Sequence, residues 1–146
     1  MKKHLPIIMA IIIGIIFGNI IVNSYETETV MSSDGSVYML QYGAYTNESV
    51  LKENIKTLSN DSYIVEEDLD NYYVYFGVTT NYYNALNIVE LYKDKGIFLY
   101  IKENYIGKSS LVDKLKKLDS LMKDEEDKGM VLNYAKESLN IYQNNY

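Results

Sequence analysis

Residues 37–69 and 71–103 align when one segment is shifted by 34 positions, the difference between 37 and 71. The match is mostly one of residue type rather than identity, and two details recur: a glycine (Gly43, Gly77) and a Thr-Asn pair (46–47, 80–81). A segment of this length is the size of one strand–helix–strand unit. The chain from 37 to 103 is therefore predicted to contain the same structural unit twice.

Each unit begins with an alternating strand, Val37–Tyr42 or Tyr72–Phe76, that a glycine is predicted to end. Asn47 and Asn81 are predicted helix N-caps, because a short side-chain oxygen satisfies free N–H groups at a helix start. Residues 63–67 and 97–102 are the predicted closing strands. Helical periodicity favours the following core positions: Val50, Leu51, Ile55 and Leu58 in the first unit, and Ala85, Val89 and Tyr92 with Leu86 or Ile88 in the second.

Two such units in series predict an α+β domain of βαββαβ order, a ferredoxin-like, four-stranded antiparallel sheet with two helices on one face and its first and third strands in the centre. Alternation divides the central strands into two sets. One set, which includes Tyr38, Leu40, Tyr42, Tyr72, Val74 and Phe76, is predicted to face the helices. The other is predicted to form an open face that carries Met39, Gln41, Tyr73 and Tyr75.

Exposed tyrosines beside an amide are typical of binding surfaces. Tyrosine rings stack on the C–H faces of sugars, and an amide pairs with hydroxyl or acetamido groups. Strands also favour tyrosine intrinsically. The pattern therefore leaves glycan binding, protein binding and a surface without function as alternatives.

Residues 5–22 contain no charge and are long enough to span a bilayer as a helix. Lys2 and Lys3 precede this segment and acidic residues follow it, so the positive-inside rule predicts a cytoplasmic N-terminus and an extracytoplasmic remainder. A cleaved signal peptide is the alternative, although the apolar segment is long for one and a cleavage motif is poorly matched. Gly14 and Gly18 form a G-x-x-x-G pattern that permits a weak homodimer.

Composition argues against most catalytic chemistry. The chain has no cysteine and a single histidine, His4, which removes thiolate sites and histidine-based acid–base or metal sites. Its formal net charge of −6 disfavours nucleic acid as a partner. The acidic stretch at 66–70 could suggest a carboxylate pair, but a strand end and a hairpin link are ordinary places for surface acids. We therefore expect a protein that is not an enzyme and uses no metal or other cofactor.

The repeat also resembles a known family. Residues 40–45 (LQYGAY) are similar to the opening strand of the SPOR domain, the sporulation-related repeat, whose pattern is V-Q-x-G-S/A-F. Residues 72–78 (YYVYFGV) resemble its third strand, and 84–86 and 95–96 match further positions. The resemblance implies binding of peptidoglycan glycan strands stripped of stem peptides, at division or sporulation septa, on the open sheet face. It places the family's glutamine at Gln41.

Residues 104–146 are predicted to form a helical hairpin. Leu111, Leu115, Leu118 and Met122 make one apolar stripe, and Val131, Tyr134, Ala135, Leu139 and Tyr142 make a second. Ser110 with Asp113 resembles a capping box. The hairpin is expected either to pack on the domain or itself, or to dock a septal protein partner.

The predicted organisation is a cytoplasmic tail (1–4), a transmembrane helix (5–22), a linker (23–36), a SPOR-like domain (37–103) and a helical extension (104–146). The preferred function is non-catalytic peptidoglycan binding at the cell membrane, at sites of cell-wall remodelling, with Gln41, Met39, Tyr73 and Tyr75 in contact with glycan. The alternative is a membrane-tethered protein–protein adaptor with a degenerate SPOR-like fold.

Overall fold

A computed structural model describes residues 35–58 and 61–145. These residues form an α+β structure. Its elements are β1 (Ser36–Tyr45), α1 (Glu48–Ile55) with a 3₁₀ turn at Lys56–Leu58, β2 (Ile64–Asp68), β3 (Asn71–Thr79), α2 (Tyr82–Lys93), β4 (Tyr100–Tyr105), α3 (Ser109–Lys123) and α4 (Lys128–Asn145).

The four strands make one antiparallel sheet in the order β2-β3-β1-β4. The predicted repetition of strand, helix and strand is confirmed, and so is the central position of the first and third strands. The order follows from the two repeats, because each closing strand lies on the outside of the opening strand of the other unit.

The two predicted helix caps are confirmed. Asn47 Oδ1 accepts a hydrogen bond from the backbone N–H of Ser49 at 2.8 Å. Asn81 Oδ1 accepts from the N–H groups of Tyr83 at 2.9 Å and Asn84 at 3.2 Å. After α2, Gly96 adopts a positive φ of 79°, the left-handed conformation that suits the glycine following a helix.

Three local predictions are wrong. Gly43 and Gly77 lie inside β1 and β3 rather than at their ends, beside shifts in the β1–β3 register. β4 begins at Tyr100 and not at residue 97. Ile97 and Leu99 are buried and Phe98 between them is exposed, so the connection before β4 has the alternating pattern of a strand without being one. Ser110 does not cap α3; the N-cap is Lys108, which has no side-chain cap bond.

The first core lies where α1 and α2 cover one face of the sheet. Its buried residues are Tyr38, Leu40, Leu51, Leu58, Val74, Phe76, Ala85, Ile88, Leu91, Tyr92, Ile97 and Leu99, joined by Met122, Val131 and Ala135 from the C-terminal helices. The set of strand residues predicted to face the helices is therefore confirmed. Val50, also predicted for this core, is 46% exposed, and Leu86 is 39% exposed.

The opposite face of the sheet is covered by α3 and α4. Val37, Met39, Ile64, Tyr75, Val78, Ile106, Leu111, Leu115, Leu139 and Tyr142 form a second buried cluster there. The prediction that this face is open is wrong, because the apolar stripes of the helical hairpin pack onto it. The stripes themselves were predicted correctly, and packing on the domain is the alternative that the structure supports.

Polar contacts fix the hairpin to the sheet at two points. Asp119 of α3, which is 6% exposed, accepts hydrogen bonds from the Thr80 backbone N–H at 2.7 Å and from Asn84 Nδ2 at 3.2 Å. The hydroxyl of Ser138 in α4 accepts from the Val78 N–H at 3.0 Å, next to the register shift in β3. Both contacts satisfy backbone donors that burial removes from water.

The predicted membrane segment at 5–22 and its G-x-x-x-G pattern lie outside the described residues. Within residues 35–58 and 61–145, no helix has the length and apolar character needed to cross a membrane.

Candidate functional site

The four residues predicted for the binding face share one side of the sheet, but the hairpin divides them. Met39 is fully buried and Tyr75 is 3% exposed, both in the core under the hairpin. Tyr73 and Gln41 are only partly buried. Gln41 pairs with Tyr75 in β3 and with Tyr100 in β4. The accessible part of the predicted site is therefore the strip that contains Gln41 and Tyr73.

A groove of about 500 Å³ opens beside this strip and is lined by Tyr73 but not by Gln41, the strand neighbour of Tyr75. Its floor holds Tyr73 and Tyr75, whose rings stack with centroids 6.3 Å apart and planes 13° from parallel. Its other lining residues are Glu66, Glu67, Asp68, Lys102, Asn104 and Tyr142. An aromatic floor with a hydrogen-bonding rim is the chemistry that sugars and polar peptides use.

We call this cavity the tyrosine groove. Three strands and one helix line it. Strand β2 supplies the carboxylates, β3 supplies Tyr73 and Tyr75, β4 supplies Lys102 and Asn104, and α4 supplies Tyr142. Lys102 reaches over β1 so that its Nζ lies 4.8 Å from the centroid of the Tyr73 ring. This cation–π contact holds a positive charge over the partly buried Tyr73 ring.

Burial raises the pKa of the Tyr75 phenol to about 12, and the nearby Glu66 carboxylate adds to the shift. Ionisation would place a negative charge in an apolar core beside acidic side chains. The Tyr75 hydroxyl therefore keeps its proton at neutral pH and remains a hydrogen-bond donor.

Lys102, Asn104, Glu66 and Tyr142 were not identified from the sequence as site residues. Lys102 lies within the predicted strand 97–102, but only the two central strands were given faces, and Asn104 lies beyond the predicted end of that strand. Lys102 pairs with Met39 and Asn104 with Val37, which places both on the face of the tyrosine groove. Tyr142 was identified only as part of a helix stripe, and no local pattern connects that stripe to the sheet.

The groove is acidic, with three carboxylates and one lysine in its lining. Among residues 35–58 and 61–145, no group of three or more His, Cys, Asp or Glu side chains is arranged to hold a metal ion. The carboxylates of the groove are suited to accept hydrogen bonds from hydroxyl or amide donors.

The chain matches no protein-family model, no curated protein and no solved structure. Its function is therefore inferred from the chemistry of the groove and from the sequence pattern.

Proposed function

We propose that the protein binds peptidoglycan glycan strands without catalysis, through a degenerate SPOR-like, ferredoxin-like domain tethered to the cell membrane by residues 5–22. The tyrosine groove, with the adjoining Gln41, is the proposed site. It serves at places of cell-wall remodelling such as division or sporulation septa. The observation that carries the proposal is the stacked pair Tyr73 and Tyr75 beneath a polar rim.

The groove suits this ligand in three ways. The Tyr73 ring offers an apolar surface for the C–H face of a sugar. The amides of Gln41 and Asn104 and the carboxylates of β2 pair with hydroxyl and acetamido groups. Lys102 supplies a cation for the lactyl carboxylate that amidase exposes when it removes a stem peptide. Met39, under the hairpin, supports Tyr75 from within the core instead of touching glycan.

A protein–protein adaptor is the second candidate, and the edge of the sheet favours it. β4 is an outer strand, and Tyr100 and Tyr105 on it are 69% and 66% exposed. An exposed aromatic edge strand can pair with a strand of another protein. The hairpin is not proposed as the docking surface, because the apolar stripes that could bind a partner are buried against the sheet.

Co-sedimentation with cell-wall sacculi tests the proposal. The full-length chain is purified in a polyoxyethylene detergent, since a sugar-headed detergent would compete for the groove. Pelleting is compared between untreated sacculi and sacculi stripped with amidase. We expect more protein to pellet with stripped sacculi, and a loss of about tenfold in affinity for Tyr73→Ala or Gln41→Ala, which corresponds to about 1.4 kcal/mol.

Phe98→Ala is the matched control, because Phe98 is an aromatic residue that is 65% exposed outside the groove. It should leave pelleting unchanged. Equal loss in Phe98→Ala and Tyr73→Ala would show that pelleting does not depend on the tyrosine groove and would contradict the proposed site. No pelleting with either kind of sacculus would refute glycan binding.

A further inference from the structure

A second polar cavity lies beside the tyrosine groove and plays no part in the site described above. It has a volume of about 440 Å³ and is lined by Asp61, Ser62, Tyr63, Ile64, Lys136, Leu139, Asn140 and Gln143. We call it the amide cavity. It lies between the segment that leads into β2 and one side of α4, whereas the tyrosine groove lies at the other end of β2.

The side chains of the amide cavity are well placed for hydrogen bonding. Asn140 and Gln143 are three residues apart on α4 and therefore lie on one face of the helix. Asp61 is held by an ion pair with Lys95 at 2.9 Å. Tyr63 packs against the core, with its ring 5.9 Å from that of Phe76. The amide cavity therefore offers two side-chain amides and one lysine as polar groups, with Tyr63 as its aromatic lining residue.

The two cavities are neighbours along the same elements. Strand β2 serves both, with Ile64 at its start in the amide cavity and Glu66, Glu67 and Asp68 at its end in the tyrosine groove. On α4, Leu139 lines the first and Tyr142 the second. From Ile64 to Asp68 the strand advances by roughly 13 Å, at about 3.3 Å per residue. A ligand that fills both cavities must therefore be longer than one sugar ring.

Each cavity also contains one lysine, Lys102 in the tyrosine groove and Lys136 in the amide cavity. A stripped glycan strand carries one lactyl carboxylate in each disaccharide repeat. Each cavity therefore offers one cation to a lactyl carboxylate, beside Asp61 in the amide cavity and beside three carboxylates in the tyrosine groove.

We infer that the amide cavity is a second glycan subsite, in which Asn140 and Gln143 bind sugar hydroxyl or acetamido groups and Lys136 binds a lactyl carboxylate. This inference rests on the proposed function. The protein therefore binds extended strands more tightly than short fragments, because a short fragment occupies the tyrosine groove alone and a long strand occupies both cavities.

Chain-length dependence of binding tests the inference. The probes are the β-1,4-linked disaccharide and hexasaccharide of N-acetylglucosamine, titrated calorimetrically into the full-length chain in polyoxyethylene detergent. We expect the hexasaccharide to bind at least tenfold more tightly than the disaccharide. Asn140→Ala combined with Gln143→Ala should remove this gain and leave disaccharide affinity unchanged.

The matched control replaces Asn133 and Asn144, two exposed amides of α4 outside the cavity lining, by alanine. It should retain the gain. If the parent chain binds the hexasaccharide and the Asn140/Gln143 variant binds it equally well, the second subsite is refuted while glycan binding stands. If the parent binds neither probe nor stripped sacculi, the proposed function fails and the subsite fails with it.

Lys136→Gln examines the charged contact separately. It should weaken pelleting with amidase-stripped sacculi and leave the neutral hexasaccharide unaffected, because that probe has no lactyl carboxylate. A loss of similar size with both ligands would overturn the role assigned to Lys136.

Discussion

Asp119 is a buried carboxylate whose partners all come from a distant part of the chain. It accepts hydrogen bonds from the Thr80 N–H at 2.7 Å, the Thr80 hydroxyl at 2.6 Å, the Thr79 hydroxyl, and Asn84 Nδ2 at 3.2 Å. These donors lie at the start of α2, where the N-terminal end of a helix favours a negative charge. One side chain thus joins the hairpin to the second repeat.

Asp119→Ala should lower the free energy of unfolding by about 1–3 kcal/mol, because it leaves the Thr80 N–H buried without its acceptor. Asn84 Nδ2 loses the carboxylate but keeps its hydrogen bond to the backbone carbonyl of residue 119 at 3.1 Å. Urea denaturation followed by circular dichroism measures the change. Asp113→Ala is the control, since Asp113 is an exposed acid on the same helix and should change stability by less than about 0.5 kcal/mol. Similar losses in the two variants would contradict the role given to the Asp119 contacts.

Two buried tyrosines make stability depend on alkaline pH. Burial raises the pKa values of Tyr75 and Tyr92 from 10.0 to about 12, with a further contribution from a nearby carboxylate in each case. In the unfolded chain both phenols ionise near pH 10, whereas the folded chain keeps them protonated. Their contribution is therefore complete below pH 10 and is lost as pH rises to about 12, by up to about 1.4 kcal/mol per pH unit for each tyrosine.

Urea titrations between pH 8 and pH 12 measure this slope. Tyr75→Phe should make the decline less steep between pH 10 and pH 12, because phenylalanine has no proton to lose. Tyr100→Phe, on a 69% exposed side chain, should leave the slope unchanged. An unaltered slope in Tyr75→Phe would be inconsistent with the raised pKa.

At the scale of elements, the β2–β3 hairpin has an unusual loop. Asp68 pairs with Asn71, so only Leu69 and Asp70 form the turn, and both have positive φ angles of 46° and 65°. A two-residue turn of this kind normally uses asparagine or glycine, because a leucine in the left-handed region costs roughly 1 kcal/mol. The Leu69 side chain is 87% exposed and has little packing to lose.

Leu69→Asn should therefore raise the free energy of unfolding by about 0.5–1 kcal/mol, as read from the urea midpoint. Leu121→Asn is the matched control, since Leu121 is 57% exposed in α3 but has ordinary helical backbone. It should lose a few tenths of a kcal/mol, because asparagine is a poorer helix former than leucine. No gain in Leu69→Asn would show that the turn is not strained.

Local patterns predicted the elements and their faces well. Alternation correctly separated Tyr38 and Val74 from Met39 and Tyr73, and the asparagine caps came from a signal confined to a few residues. The start of β4 was misplaced because residues 97 and 99 alternate like a strand while lying in a buried connection. That the hairpin covers the second face was left as one alternative, because it depends on contacts between residues about 60 positions apart, such as Val78 and Ser138.

The candidate site shows the same division. Strand alternation predicts both Gln41 and Tyr73. Tyr73 lines the tyrosine groove, and Gln41 is the strand neighbour of Tyr75, which also lines it. Lys102 was not identified because alternation was applied only to the two central strands, and Tyr142 joins the groove only through the packing of α4. Met39 was assigned to a glycan surface because no local pattern indicates which face of the sheet the apolar stripes of the hairpin cover.

At the scale of the whole molecule, the sheet separates two hydrophobic cores and contributes side chains to both. The second core draws Val37, Met39 and Tyr75 from the strands and Leu111, Leu115 and Leu139 from the hairpin. A βαββαβ domain without α3 and α4 would leave these strand residues in water.

A chain that ends at Lys108 should therefore lose its cooperative unfolding transition and bind a hydrophobic dye such as ANS. Near-ultraviolet circular dichroism and urea denaturation measure this. A chain that ends at Gln143 keeps the buried Tyr142 and should unfold cooperatively. If the shorter chain retained the same urea midpoint, the hairpin would be an accessory instead of a part of the fold.

The position of α4 also determines when the molecule can fold during synthesis. A ribosome completes all four strands before it reaches Leu111, and α4 is made later still. Until then no helix covers Val37, Met39 and Val78, and one face of the sheet exposes apolar side chains to solvent. Complete folding therefore requires translation through residue 142. A chain truncated before that point leaves these apolar residues uncovered and becomes a substrate of chaperones and proteases.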